Sequence, residues 1–190
     1  MKEQVMRMNA KEFMAELYKG VPTDKVTYLY VKPDGCTYPY TIGQREQMLE
    51  RAMCLAATQD VFFGLHLTND QPLFGCRASA NEISCVSFIH GEYDIKGPAH
   101  KEPNLPESME ELLGFLHGLE YPPSIIVYSG NGVHAYWLLE GHATVTGENR
   151  EWIKRIMKGH EKYTLRLGRE RGWRFDSVAD LYRELFEQAA

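Results

Sequence analysis

Glu92 and Asp94 stand two residues apart in Ser-Phe-Ile-His-Gly-Glu-Tyr-Asp-Ile-Lys, residues 87–96, and this spacing carries the first chemical signal of the chain. A β-strand repeats its side-chain direction every second residue, so both carboxylates project from one face, with Lys96 beside them if the strand runs that far; Gly97-Pro98 then stops it. Like charges a few ångströms apart repel unless a cation lies between them, and hard cations such as Mg²⁺ or Mn²⁺ take oxygen ligands of this kind. The pair points to a metal, although a surface strand can also alternate charged residues with no ion to hold.

Two further stretches bear on the same chemistry. In Ser129-Gly-Asn-Gly-Val-His134, Gly130 and Gly132 free the backbone for positive φ, which lets successive N–H groups converge on an anion, while Ser129 and His134 offer a hydroxyl and an imidazole to phosphate oxygens. A triphosphate could lie there, and Asn-Gly is equally an ordinary hairpin turn. Tyr136 shares the His134 face and either flanks a base or fills the core. Nearer the C-terminus, Phe175-Asp176 precedes Ser-Val-Ala-Asp180. Either aspartate can cap a helix, and Asp176 can instead join Glu92 and Asp94 as the third carboxylate of a one- or two-metal phosphoryl-transfer site. Lys96 and Arg77 are available cations for phosphate or template, or ordinary surface charges.

The elements that must position these residues are legible from periodicity. A helix is predicted over 9–19 from Phe13, Met14 and Leu17, with Asn9 as cap and Gly20 as stop, and a strand over Val26 to Val31 closed by Pro33-Asp34-Gly35. A second helix follows from Gly43 or Gln44 to Ala57, then a strand from Asp60 to Leu67. After the Glu92/Asp94 strand comes a Pro- and charge-rich loop and a helix entered at Pro106, lined by Leu112, Leu113, Leu116 and Leu119. Ile125–Tyr128 and Ala135–Leu139 form a hairpin around the glycine loop. A helix from Glu148 to about Arg166 places Trp152, Ile156, Tyr163 and Leu167 on one arc with most basic residues opposite, and a short helical end closes the chain.

Composition sets the frame. The chain has 190 residues, 44% apolar and 25% charged, which suits one domain or two compact lobes of a water-soluble protein. It has neither an apolar run long enough to span a membrane nor a signal-peptide core at its start, which reads as cytoplasmic. Cys36, Cys54, Cys76 and Cys85 lack a Cys-x-x-Cys pair, so neither a disulfide framework nor a zinc knuckle is indicated. The net charge of −5 argues against a protein that coats nucleic acid by bulk charge. Yet nine Lys or Arg against three Glu lie between Arg150 and Arg174, a local excess of six that leaves the remainder at −11. Such polarity suits contact with a phosphate backbone at one place, and equally a solvated helix face.

Taken in order, Glu-x-Asp on a strand, Ser-Gly-x-Gly-x-His between strands, a basic helix, and Phe-Asp followed by Asp-Leu-Tyr-Arg183 resemble the archaeo-eukaryotic primase superfamily. The likeness is to the primase-polymerase domains carried by plasmids, phages and mobile elements. It spans roughly Asp60 to Arg183: Asp60-Val-Phe-Phe-Gly resembles the opening strand, Gly91-Glu-Tyr-Asp-Ile-Lys-Gly the first acidic motif, Pro123 to Trp137 the histidine motif, and Phe175-Asp176 the third. The family more often has Asp where Glu92 stands, and many relatives continue past Arg183 to a second Arg and a Pro-Gly turn that this chain lacks.

The resemblance implies an α/β protein. Its catalytic sheet would be antiparallel and of RNA-recognition-motif type, over residues 59–190, with a small N-terminal lobe of helix, strand and helix over 1–58. It further implies that Glu92, Asp94 and Asp176 hold Mg²⁺ or Mn²⁺, and that Ser129, Gly130, Gly132 and His134, with Lys96 and Arg183, meet a nucleoside triphosphate. Arg150, Lys154, Arg155 and Lys158 would meet a single-stranded or primed DNA template. The activity implied is template-directed nucleotidyl transfer with release of pyrophosphate, as primase, DNA polymerase or both, alongside a helicase or helical accessory domain outside this chain. A metal-dependent nuclease would use the same carboxylates without needing the triphosphate loop. A single-strand-binding or replication-initiation module would need neither.

Overall fold

The computed structural model describes residues 8–98, 100 and 102–176. Asp180, Arg183 and the helical end expected after Asp176 lie outside the described residues. Within them the chain is mixed α/β, with seven strands paired antiparallel and four α-helices. It divides into two compact units: one ends at Ser87 and takes in Glu140–Thr146, and the other comprises Phe88–Leu139 and resumes at Gly147.

The first unit holds α1 (Ala10–Leu17), β1 (Val26–Lys32), β2 (Cys36–Thr41), α2 (Arg45–Ala56), β3 (Asp60–Phe63), β4 (Leu67–Thr68) and the opening of β5 (Ile83–Asp94). α1 starts where expected because Asn9 and Glu12 exchange side-chain to backbone hydrogen bonds in a capping box. β1 is the hub, pairing with β2 from Val26↔Thr41 to Val31↔Cys36 and with β3 from Leu29↔Phe63 to Lys32↔Asp60. β2 was not foreseen, since Pro39 argues against a strand; it lies at the end of the strand order, where a residue without an N–H is tolerated. The strand expected over 60–67 breaks after Phe63, and the Tyr18 hydroxyl donates to Gly64 O and Leu65 O across the break. Leu17, Tyr18, Leu29, Val31, Ile42, Met48 and Leu67 are fully buried.

The second unit runs in the order β5, α3 (Met109–His117), β6 (Ile125–Tyr128), β7 (Gly132–Thr144) and α4 (Arg150–Glu170), with β7 leaving it after Leu139. This β-α-β-β-α succession, with β7 between β5 and β6, is the arrangement of the first five elements of a ferredoxin- or RNA-recognition-type β-α-β-β-α-β unit. β6 and β7 form the expected hairpin, in register from Ile125↔Tyr136 to Tyr128↔Val133. α3 begins at Met109 rather than at Pro106, because Ser108 accepts the Glu111 N–H at 3.2 Å and so fixes the cap. Its Leu112, Phe115 and Leu116 join Tyr93, Ala135, Trp137, Trp173 and Phe175 in one core.

α4 is where the sequence reading needs correction. Its buried positions are Ile153, Thr164 and Gly168, whereas Trp152 is 57% and Ile156 42% exposed. The buried positions centre about one residue, or 100°, around from the predicted arc, of which Tyr163 and Leu167 do pack against the core while Trp152 and Ile156 do not. Hydropathy draws the stripe through Trp152 and Ile156, but the positions packed inward include a threonine, a glycine and His160, none of which it flags. Among the described residues, no helix is long and apolar enough to cross a membrane.

Candidate active site

The described candidates of the acidic and glycine-loop motifs fall in the second unit. Along β5, His90, Glu92 and Asp94 alternate with buried Gly91 and Tyr93, so all three polar side chains leave the same face. Asp176 follows the last helix among the unit's described residues, α4. Its segment is held by hydrogen bonds from Trp173 N to Gly168 O and from Arg174 N to Asn104 O. Phe175 then turns inward, its ring edge-to-face with Tyr93 at 5.1 Å and close to Phe115 and Trp173.

The consequence is that Glu92 and Asp176 open on one recess, shared with His90 and with His160, Glu161 and Thr164 of α4. Asp176 also bears on Asp94. Burial lifts the Asp94 carboxyl above its ordinary value, His100 and His134 draw it down, and the Asp176 charge pushes it further up. His100 Nδ1 lies 3.4 Å from Asp94 Oδ2. Repulsion between Asp94 and Asp176 is what a divalent cation relieves, and carboxylate oxygens are the donors Mg²⁺ and Mn²⁺ take, so the donor chemistry fits such an ion, although Glu92, Asp94 and Asp176 are not a set whose oxygens already lie within 4.8 Å of one another. Tyr93, between the two acids in sequence, has its hydroxyl pushed up to about 12 by burial, partly offset by a hydrogen bond with Thr164.

His90 was missed at the sequence level. Its Nε2 lies 3.6 Å from Glu92 Oε1, its ring meets His134 at 5.7 Å and 86°, and one donor atom each from His90, Glu92 and His134 fall within 4.8 Å of one another. The signal was present: His90 has the same strand parity as Glu92, but reading the strand for like charges alone passes over an imidazole.

The glycine loop is a tight turn closed by Ser129 N to Gly132 O at 3.0 Å, and the Tyr128 hydroxyl donates to Gly130 O. Only one of its two glycines adopts the expected left-handed backbone: Gly130 has φ +100°, and Gly132 does not. Gly132 is needed for close approach, since a Cβ there would lie 2.3 Å from Tyr93 O, 2.8 Å from Asp94 Cα and 2.9 Å from Asp94 Oδ1. Ser129 is exposed and His134 half-buried. Tyr136 takes the core alternative, buried against Phe88 at 5.5 Å and under His90 at 5.2 Å, its hydroxyl raised by burial.

The cations are placed differently from one another. Lys96 pairs with Glu107 at 2.7 Å, and Arg77, in the first unit, lies over the Tyr30 ring at 4.5 Å. Arg150, Lys154, Arg155 and Lys158 occupy the first part of α4, ahead of the residues that line the recess; Lys154 pairs with Glu151 at 2.8 Å, and Arg155 and Lys158 are exposed.

No protein-family model matches the chain, and no curated protein matches it. Among solved structures it is similar to one titled "Cyanophage S-2L Primase-Polymerase (PrimPol), AEP domain (PP-N190)". That alignment covers 77% of this chain and 70% of that chain, at 15% identity and a TM-score of 0.41.

Proposed function

We infer that the chain carries out template-directed nucleotidyl transfer, as primase, DNA polymerase or both, with Mg²⁺ or Mn²⁺ as cofactor. The observation that carries this reading is the gathering of acids from two motifs: Glu92 and Asp94 on one face of β5, and Asp176 lining one recess with Glu92 and raising the charge felt by the half-buried Asp94. Bound there, a divalent cation would neutralise triphosphate charge and sharpen a 3′-hydroxyl for in-line attack on the α-phosphorus.

The chain's own residues supply placement. Glu92, Asp94 and Asp176 hold the cation, and β5 and the Phe175 anchor fix their separation. The Ser129–His134 turn contacts the phosphates, its Gly130 backbone bent to present N–H groups and its Gly132 allowing β7 to lie against Asp94. Lys96 reaches a phosphate by exchanging its exposed partner Glu107, at little cost because such pairs contribute under about 1 kcal/mol. On α4, exposed Trp152 and Ile156 adjoin exposed Arg155 at the edge of the helix's basic face, an apolar surface for base stacking beside cations that suits a single-stranded template. Arg183 completes the nucleotide contacts in this proposal.

The test is primer extension and de novo synthesis with ribo- and deoxyribonucleotides, Mg²⁺ or Mn²⁺, and the Asp94→Ala variant beside the intact chain. Metal-dependent extension that Asp94→Ala abolishes supports the reading. Release of mononucleotides from DNA instead would make the protein a nuclease, and metal-indifferent strand binding without synthesis would make it a binding module.

A further inference from the structure

The carboxylates account for a hard cation, but they leave His90 without a role in the chemistry. We propose that His90, Glu92 and His134 bind a divalent transition-metal ion of the Co²⁺/Zn²⁺ class in preference to Mg²⁺, with His90 the residue that sets that preference. The inference shares Glu92 with the nucleotidyl-transfer reading but needs neither Asp94 nor Asp176, so the two stand or fall separately.

The geometry comes from strand pairing. His90 and Glu92 share a face of β5, and β7, hydrogen-bonded beside it, brings His134 to the same place. Donor atoms bound to one Zn²⁺-type ion at about 2.0–2.2 Å, at tetrahedral angles, lie about 3.4 Å apart. His90 Nε2 and Glu92 Oε1 are already 3.6 Å apart, and the three donors lie within 4.8 Å, so closing on an ion needs side-chain adjustments of about an ångström or less.

The chemistry of the donors decides the ion. Two of the three are imidazole nitrogens, which suit the later first-row divalent metals, whereas Mg²⁺ prefers oxygen and keeps much of its water. The site is also pre-formed: the His90 side chain is only 4% exposed and rests against Tyr136, which limits its rotamers before any ion arrives. Glu92 is 40% exposed, leaving an open side for a further ligand. A metal-bound imidazole keeps its other N–H as a donor, so His134 can ligate through one nitrogen and still meet a phosphate oxygen through the other.

The test uses the whole chain with Co²⁺ and Mg²⁺ as probes, read by calorimetry and by the visible absorption of bound Co²⁺. The expected result is Co²⁺ binding about tenfold or more tighter than Mg²⁺, with His90→Gln lowering Co²⁺ affinity at least about tenfold and leaving Mg²⁺ affinity unchanged. His134→Gln, at a less buried position, should do the same. Because the His90 side chain is buried, a second readout uses the unsubstituted protein: the diamagnetic ion Zn²⁺ should shift the imidazole resonances of His90 and His134. Equal Co²⁺ and Mg²⁺ affinities, unchanged Co²⁺ binding in a folded His90→Gln, or unshifted His90 and His134 resonances would each overturn the proposal. Primer extension bears on the other reading alone: a chain that binds Co²⁺ through His90 but never extends a primer would keep this site and lose the polymerase.

Discussion

Replacing Gly132 by alanine probes the site more sharply than replacing an acid, because it leaves every functional group in place and moves one of them. The added Cβ would lie 2.3 Å from the Tyr93 carbonyl oxygen and 2.8 Å from Asp94 Cα, both backbone atoms that cannot swing aside. Ordinary Cβ contact begins at 3.4 Å, so β5 and β7 must part by roughly 1 Å at the point where Asp94 sits. Forcing a methyl into a packed site costs about 1–3 kcal/mol, and an ångström of misplacement at a reacting centre costs about a hundredfold in rate. Urea unfolding and metal-dependent primer extension measure the two effects. Gly20→Ala is the control, in the first unit, with φ +72° and nothing within 4 Å of the added Cβ. It should lose about 1–2 kcal/mol through backbone strain alone and keep its activity. A Gly132→Ala protein with activity in line with that control would refute the idea that the close approach of β7 sets Asp94.

Three other outcomes are expected. Asp94→Asn should raise the melting temperature near neutral pH: a raised carboxyl pKa means that Asp94 favours the fold only below the ordinary carboxylate pKa, a contribution lost as pH rises through the raised value. Mg²⁺ or Mn²⁺ should then stabilise the unsubstituted protein more than the variant in a thermal-shift titration. His66, whose ring nitrogens are both shielded from solvent, has its pKa lowered to about 4 by burial. Stability should therefore be full above pH about 6.5 and fall by up to roughly 3 kcal/mol as pH drops toward 4, a loss that His66→Gln should blunt in equilibrium melts. Trp152→Ala, at an exposed position, should change stability by less than about 0.5 kcal/mol yet weaken single-stranded DNA binding by about 1–3 kcal/mol, measured by fluorescence anisotropy at fixed salt.

Much of this was legible in the sequence because the informative signals were local. The Asn9 cap, the β-branched run of β1, the hairpin around Asn131-Gly132 and the alternation of Glu92 and Asp94 each depend on neighbours within a few residues, and each formed where expected. What escaped depends on partners distant in the chain. β2 exists because β1 offers it a free edge, a fact that no property of Cys36–Thr41 announces. The inner face of α4 is chosen by the shape of the core it covers, which accepts Thr164 and Gly168 and leaves Trp152 outside. His90 needed strand parity to be applied to every donor type, and Gly132 needed knowledge of what lies across the sheet.

The contact between the rings of Tyr93 and Phe175 has a further implication. Each ring sits next in sequence to an acid pointing the opposite way, so the oily interior acts as a caliper for the charged surface: its jaws are aromatic, and the gap it sets is the one an ion must fill. Repacking that interior with a thinner side chain at position 175 would reset the spacing of groups it never touches, and ion affinity would report the change before any loss of fold did.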